Sequence, residues 1–190
     1  MGGLDGTGTK LLASWFQAVT PRTAGFNTLD YAAMETPTTV MTITLMLVGG
    51  GPSSTAGGIK VTTLIVLILA TLAFFRRQER LNIFGRSLGV DEIMKVLALT
   101  SLSLFLVLIG LFLVSLTYRG DFLDLLFEVT SAFGTVGLSR GATGELDEFG
   151  RIFIIVIMFV GRLGPLTLGF FLAKRSMPRV RYPDGRVYLG

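Results

Sequence analysis

The sequence predicts an all-α integral membrane protein in which short re-entrant helices alternate with membrane-spanning ones. Composition is the first reason: of 190 residues, 51% are hydrophobic and only 16% charged, against roughly 45–50% and 25% in a soluble domain. The second is the run from Ile93 to Thr117, whose only charge is Lys95; it exceeds the roughly 20 apolar residues that cross a hydrocarbon core. An internal repeat is the third. Thr23-Ala24-Gly25-Phe26-Asn27 precedes Val48-Gly49 by the same interval at which Thr135-Val136-Gly137-Leu138-Ser139 precedes Val160-Gly161. Each copy reads as an apolar half-helix, a Thr-x-Gly loop and a Gly-interrupted hydrophobic helix. Such a layout holds backbone carbonyls at membrane depth while protein shields them from lipid.

Taken in order, the elements follow from local signals. Leu11 to Val19 is apolar but too short to span, and Thr20-Pro21 ends it because proline disfavours helix in the residue before it. A re-entrant pore helix is expected there. Val40 to Val48 and Ile59 to Phe75 are apolar, and the polar stretch Gly49 to Gly58 between them predicts a discontinuous transmembrane helix. Ser87 to Glu92 links this unit to the full span at 93–117. A second re-entrant helix is expected over Phe122 to Phe133, then the second Thr-x-Gly loop, an outer polar stretch at 140–148 and a final span from about Phe149 to Ala173. The chain divides at 86/87 into two units, 1–86 and 87–190. A full helix before Leu11 is missing from the first, so the chain is expected to be the C-terminal part of something longer. Its first residues lack a signal-peptide pattern, and no cleavage is expected.

Charge orients these elements. Arg76, Arg77, Arg80 and Arg86 follow the second hydrophobic block, and Lys174, Arg175, Arg179, Arg181 and Arg186 follow the last. By the positive-inside rule both clusters are cytoplasmic. Between Tyr118 and Gly150 the balance reverses, with Asp121, Asp124, Glu128, Glu145, Asp147 and Glu148 against Arg119 and Arg140. That stretch is expected outside. The formal charge of +4 thus reads as topology, and no basic and aromatic face suited to nucleic acid is present.

Several function classes drop out. With no cysteine and no histidine, the chain has neither a thiolate metal site nor a near-neutral proton shuttle. Ser53, Ser54 and Thr55 have only Lys60 as a nearby base, which argues against an intramembrane enzyme.

Ion passage fits better. A dehydrated alkali cation needs several oxygen dipoles, and backbone carbonyls in an extended loop provide them. Gly25 and Gly137 permit the dihedrals that turn successive carbonyls toward one axis, and a pore helix aims partial negative charge at the cation. The break Gly49, Gly50, Gly51, Pro52, Ser53, Ser54, Thr55, Ala56, Gly57, Gly58 cannot remain helical in lipid, so it must line water or lie buried in protein. A mobile obstruction beneath the filter is one reading; a surface loop between short interfacial helices is the other. It does not match a phosphate-binding loop. Arg162 lies within the last apolar span, where an arginine costs at least about 2.5–3.5 kcal/mol unless it faces a cavity or partner. It would either oppose a passing cation or anchor the break through carbonyl contacts. Lys60 would hold the break or mark a wet cavity.

Val19-Thr20-Pro21-Arg22-Thr23-Ala24-Gly25-Phe26-Asn27, Gly51 to Lys60, and Phe159-Val160-Gly161-Arg162-Leu163-Gly164-Pro165 together resemble the Trk/Ktr/HKT superfamily of potassium transporters, in its bacterial Ktr membrane-subunit branch. The likeness covers nearly the whole chain after Leu11. The stretch Tyr182 to Gly190 also resembles the Ktr type, whose last residues pack at a dimer contact. The resemblance implies a pore of four M1-P-M2 repeats about a pseudo-fourfold axis, as in potassium channels. Residues 1–86 would be the third repeat without its first helix, and 87–190 the whole fourth. Thr23, Ala24, Gly25 and Phe26 would form one quarter of the filter, and Thr135, Val136, Gly137 and Leu138 another, with K+ held by carbonyls at Gly25 and Gly137. The break from Gly49 to Gly58, with Lys60 and Arg162, would form the gate. The resemblance further implies K+ as cargo, Na+ as candidate coupling or activating ion and no nucleotide bound directly by this subunit. It implies a homodimer in the lipid bilayer of the cell membrane, multi-pass with its C-terminus cytoplasmic, and a cytoplasmic nucleotide-binding regulatory ring of the KtrA/TrkA type. The alternative is a truncated, non-transporting structural or assembly subunit of such a complex.

Overall fold

One short helix, Phe122–Gly134, contributes to both core clusters, and the helices Thr36–Leu47, Val90–Ser115 and Glu148–Leu163 pack against it. The computed structural model describes residues 6–52, 54–77, 81–83 and 86–164. The elements are α1 (Thr7–Val19), α2 (Thr36–Leu47), α3 (Val61–Phe75), β1 (Leu81–Ile83), β2 (Arg86–Leu88), α4 (Val90–Ser115), α5 (Phe122–Gly134), α6 (Ala142–Glu145) and α7 (Glu148–Leu163). Helix α5 starts where the Asp121 carboxylate accepts the N–H of Leu123 at 2.6 Å, satisfying one orphan donor of the first turn. Nearly every residue from Leu125 to its end is buried, as expected of a helix surrounded by protein. One side, with Leu125, Val129 and Phe133, packs with Val107, Leu111 and Val114 of α4 and Ile154 and Ile157 of α7. Phe127 instead joins Tyr31, Ile43 and Met46.

Among the described residues α4 is the one helix long and apolar enough to cross a membrane. Its 26 residues extend about 39 Å, against a hydrocarbon core of about 30 Å. Asp91 and Glu92 occupy its first turn, where the helix dipole favours them. Ser103, Val107, Gly110, Leu111 and Val114 form its buried stripe, while Leu104, Phe105, Leu108 and Phe112 are exposed. Gly110 lets α7 approach closely, since a Cβ there would lie 2.5 Å from Cδ1 of Ile157. At the far end Thr117 donates to Asp147 Oδ1 at 2.9 Å, and the same carboxylate caps α7 by accepting from the Gly150 N–H at 2.8 Å.

Three expectations change. The linker at 87–92 is partly an antiparallel hairpin, pairing Leu81 with Leu88 and Ile83 with Arg86, and α4 begins at Val90. Among the described residues the fold is therefore helical with one small hairpin; strands of three residues carry too little alternation to be read from sequence. The second hydrophobic helix of the repeat is not interrupted at its glycine, because α7 runs through Gly161 to Leu163, whereas α2 stops at Leu47 before Gly49. The described part of α7 ends at Leu163, followed by Gly164 with φ 81. Its expected continuation to Ala173, the basic cluster after it and the stretch Tyr182 to Gly190 lie outside the described residues. Helix α1 starts one turn earlier than Leu11 and buries none of its residues.

Candidate functional site

The two Thr-x-Gly loops repeat in conformation as well as in sequence. Thr23 has φ 68 and Thr135 φ 54, and Arg77 is the one other non-glycine residue with positive φ among the described residues. Two residues on, Gly25 has φ 71 and Gly137 φ 90. The left-handed region costs an L-residue on the order of 1–2 kcal/mol, so its use by threonine at both equivalent positions marks an imposed backbone path. The first loop is held by Thr20, whose carbonyl accepts from the N–H groups of Ala24 and Gly25, each at 3.1 Å. Thr20 Oγ1 also bonds the Phe26 N–H and carbonyl, both at 3.0 Å. The second loop closes onto the end of α5, with Thr135 N–H on Ala132 O at 3.0 Å and Val136 N–H on Ser131 O at 2.9 Å.

Side chains of the second loop alternate. Val136 and Leu138 are buried in the cluster around Tyr31 and Phe127, which pins the loop from behind, while Gly137 is exposed. Ala24 and Phe26 of the first loop are exposed. The loops meet backbone to backbone, because a Cβ on Gly25 would overlap the Val136 carbonyl oxygen. Gly137 faces open space within 4 Å, and it is its φ that calls for glycine. Among the described residues no donor is bonded to the carbonyls of Thr23, Ala24, Gly25, Thr135, Val136 or Gly137. Carbonyls in this state retain both lone pairs for another ligand.

The glycine-rich break folds back on itself beside the second loop. Val48 and Ile59 form an isolated parallel bridge, with Gly49 N–H on Ile59 O at 2.8 Å and Ile59 N–H on Leu47 O at 3.0 Å. Helices α2 and α3 thereby rejoin around the intervening residues. Gly57 donates its N–H to Thr135 Oγ1 at 3.2 Å, and a Cβ on Gly58 would stand 3.6 Å from Gly134 Cα. Ser53 lies outside the described residues. Gly50, Gly51 and Pro52 lead into a turn in which Ser54 N–H and Oγ both donate to Gly51 O, at 3.1 and 2.8 Å. Two cations hold the next three carbonyls. Lys60 Nζ donates to Ser54 O at 2.9 Å and to Ala56 O at 2.6 Å, and Arg162 Nη1 donates to Thr55 O at 2.7 Å. An open pocket of about 370 Å³ lies between this turn and the end of α7, lined by residues that include Lys60, Gly161 and Arg162. Arg162 thus contacts a backbone carbonyl of the break.

Sequence reasoning counted Asp124, Glu128 and Arg140 only as charges of an outer stretch. Glu128 is 7% exposed, and its carboxylate accepts from Ser139 Oγ at 2.7 Å and from Thr143 Oγ1. Arg140 pairs with Asp124 at 2.5 Å. The available signal was the spacing of the two acids, which sets them one turn apart on one face of a helix. Beside them, in the segment between α1 and α2, burial pushes the Tyr31 phenol up to about 12. It stays neutral and donates to Gln17 Oε1 at 2.8 Å.

The family model described as TrkH, cation transport protein, matches residues 6–180. The chain is 51% identical over 181 residues to the Ktr system potassium uptake protein B of Bacillus subtilis, an alignment that covers 95% of this chain and 41% of that protein. It is 41% identical over 190 residues to the protein of the same name from Vibrio alginolyticus, covering 100% and 42%. To the potassium/sodium uptake protein NtpJ of Enterococcus hirae it is 38% identical over 195 residues, covering 98% and 43%. The chain thus spans about two fifths of the length of these curated relatives.

Proposed function

The chain belongs to the TrkH family of cation transport proteins, and from that premise we propose that it forms part of the pore of a potassium uptake system of the Ktr type. The observation that carries the reading is the pair of Thr-x-Gly loops with matched positive φ at Thr23 and Thr135 and at Gly25 and Gly137. They abut through backbone, and among the described residues no donor is bonded to the carbonyls around either glycine. Oxygen dipoles of this kind replace the hydration shell of a dehydrated cation without fixed charge. On this reading α1 and α5 are re-entrant pore helices. Residues 1–86 form one pore repeat with a broken inner helix, α2 and α3, and 87–190 form the next, with α4 as outer and α7 as inner helix. The break from Gly49 to Gly58 is the gate, latched by Lys60 and Arg162.

K+ is the proposed cargo, and Na+ is the candidate second ion, in keeping with the potassium/sodium name of one relative. Multi-pass insertion in the cell membrane with a cytoplasmic C-terminus, homodimerisation and a cytoplasmic nucleotide-binding regulatory subunit complete the proposal.

The test replaces the matching segment of the full-length Bacillus subtilis relative with residues 1–190, giving a complete transporter expressed in cells that lack other K+ uptake. Growth at low K+ and rubidium-tracer uptake are expected, both reduced by Gly25→Ser or Gly137→Ser at equal membrane abundance. A segment that assembles in the membrane but supports no uptake would instead favour a structural role.

A further inference from the structure

We infer that Arg140 is a positioning residue that sets the approach of the two Thr-x-Gly loops, and through it the discrimination between K+ and Na+. The inference rests on the filter reading above. Asp124 and Glu128 lie one turn apart on α5, and the two residues directly after the second loop engage them in turn. Ser139 donates to Glu128 at 2.7 Å and Arg140 Nε to Asp124 at 2.5 Å. The outer limb of the loop is thereby fastened along the helix that precedes it.

The guanidinium then reaches across to the other repeat. Its Nη1 donates to Tyr31 O at 2.7 Å and Thr39 Oγ1 at 2.8 Å, with Met34 O at 3.3 Å. Tyr31 and Met34 lie between the first Thr-x-Gly loop and α2, and Thr39 lies in the first turn of α2. One side chain therefore couples the second loop to the segment leading out of the first. It does so away from bulk solvent: the Arg140 and Asp124 side chains are 11% and 28% exposed, unlike a solvated surface pair that contributes little. The planar fork of arginine can serve a carboxylate on one edge and carbonyls on another, whereas a lysine offers one point of charge.

The opposite flank has no slack. Gly25 touches the Val136 carbonyl so closely that no side chain fits between them, and Val136 and Leu138 are packed with Tyr31, whose carbonyl Arg140 holds. A change at Arg140 is thus transmitted to the spacing of the two loops rather than absorbed by a gap. Where selectivity depends on the number and field of carbonyls around the ion, that spacing is the relevant variable.

The test uses Arg140→Lys, Arg140→Gln and Asp124→Asn in the complete transporter, with KM for K+, inhibition by Na+, maximal rate and membrane abundance measured for each. Arg140→Gln is expected to lower the K+ over Na+ preference by roughly tenfold, the lower end of what loss of one charge-assisted hydrogen bond produces. Arg140→Lys should fall between Gln and wild type, and Asp124→Asn should shift the preference in the same direction. A purely structural salt bridge would lower abundance or maximal rate and leave the ratio untouched, which would overturn the inference. Should Arg140→Gln fail to reach the membrane, Arg140→Lys decides: a wild-type ratio in that variant overturns the inference equally. Gly137→Ser separates the two readings. If it alters the ratio and the Arg140 variants do not, the filter stands and the positioning role falls; if it also leaves the ratio unchanged, the filter reading itself falls.

Discussion

The backbone N–H of Gly57 donates to the side-chain hydroxyl of Thr135 at 3.2 Å, so the glycine-rich break rests directly on the second Thr-x-Gly loop. No layer of side chains separates them. A Cβ on Gly57 would lie 2.7 Å from Thr135 Oγ1 and 2.9 Å from Gly134 O, closer than real Cβ contacts. Thr135 therefore does two things: its backbone, at φ 54, turns the chain out of α5, and its hydroxyl seats the break. On the proposed reading, filter and gate share this residue.

Thr135 provides the first prediction. Val and Thr are both β-branched, so Thr135→Val keeps the shape and the left-handed cost while deleting the hydroxyl. Losing a neutral hydrogen bond of about 0.5–1.5 kcal/mol should raise rubidium flux through the complete transporter severalfold by freeing the break. Thr135→Ser should stay near wild type. Equal flux in the Val and Ser variants would mean that the hydroxyl does not hold the break.

The two loop glycines should respond differently to the same substitution. Ala at Gly137 meets no atom within 4 Å and suffers only the left-handed penalty, on the order of 1–2 kcal/mol. Ala at Gly25 suffers a similar penalty and also overlaps the Val136 carbonyl oxygen, which forces the loops apart. Gly25→Ala should therefore cost more K+ affinity than Gly137→Ala, as read from KM at matched abundance. The reverse order would show that the loop contact does not control the ion site.

How much of this was readable beforehand depended on whether the signal was periodic or spatial. Apolar length identified α4, and the repeat located both Thr-x-Gly loops, because a left-handed turn needs a local glycine that sequence displays. Equivalent glycines were less informative. Gly49 begins the break, whereas Gly161 sits inside continuous α7 and lets that helix lie on α5, since a Cβ would overlap Phe133 O. In both copies a close backbone approach calls for glycine, since a Cβ on Gly49 would overlap Gly57 O, and only packing shows that one approach lies within the break and the other between two helices. Arg140 was hidden for a similar reason: its partners Tyr31 and Thr39 are far away in sequence, and a charge in a polar stretch has no periodicity to betray it. That Arg162 should face a cavity or a partner was inferable from the cost of an unpartnered intramembrane charge, but the identity of the carbonyl it contacts, Thr55, was not.

Deleting Ser53 to Gly57 tests the break as an obstruction. The deletion removes the seat on Thr135 and the Thr55 carbonyl held by Arg162 together. Flux should rise while abundance in the membrane stays level. Flat or falling flux in a folded variant would end the gating interpretation.

Arg162 offers the sharpest test because its contact has a neighbour. Three successive carbonyls are held: Ser54 and Ala56 by Lys60, and Thr55 between them by Arg162. A charge-assisted bond contributes on the order of 1.5–3 kcal/mol, and the exposure of Arg162 puts its contact toward the lower end. Arg162→Ala should therefore raise flux roughly tenfold or less, and Lys60→Ala should raise it as well by freeing the flanking carbonyls. Adding the loop deletion to Arg162→Ala should then change little, since both remove one obstruction and coupled sites are not additive. Measured flux that multiplies across the two changes would mean that Arg162 acts on the passing cation by direct repulsion. In that case its bond to Thr55 would be incidental to transport, and the latch would have to be assigned to Lys60 alone.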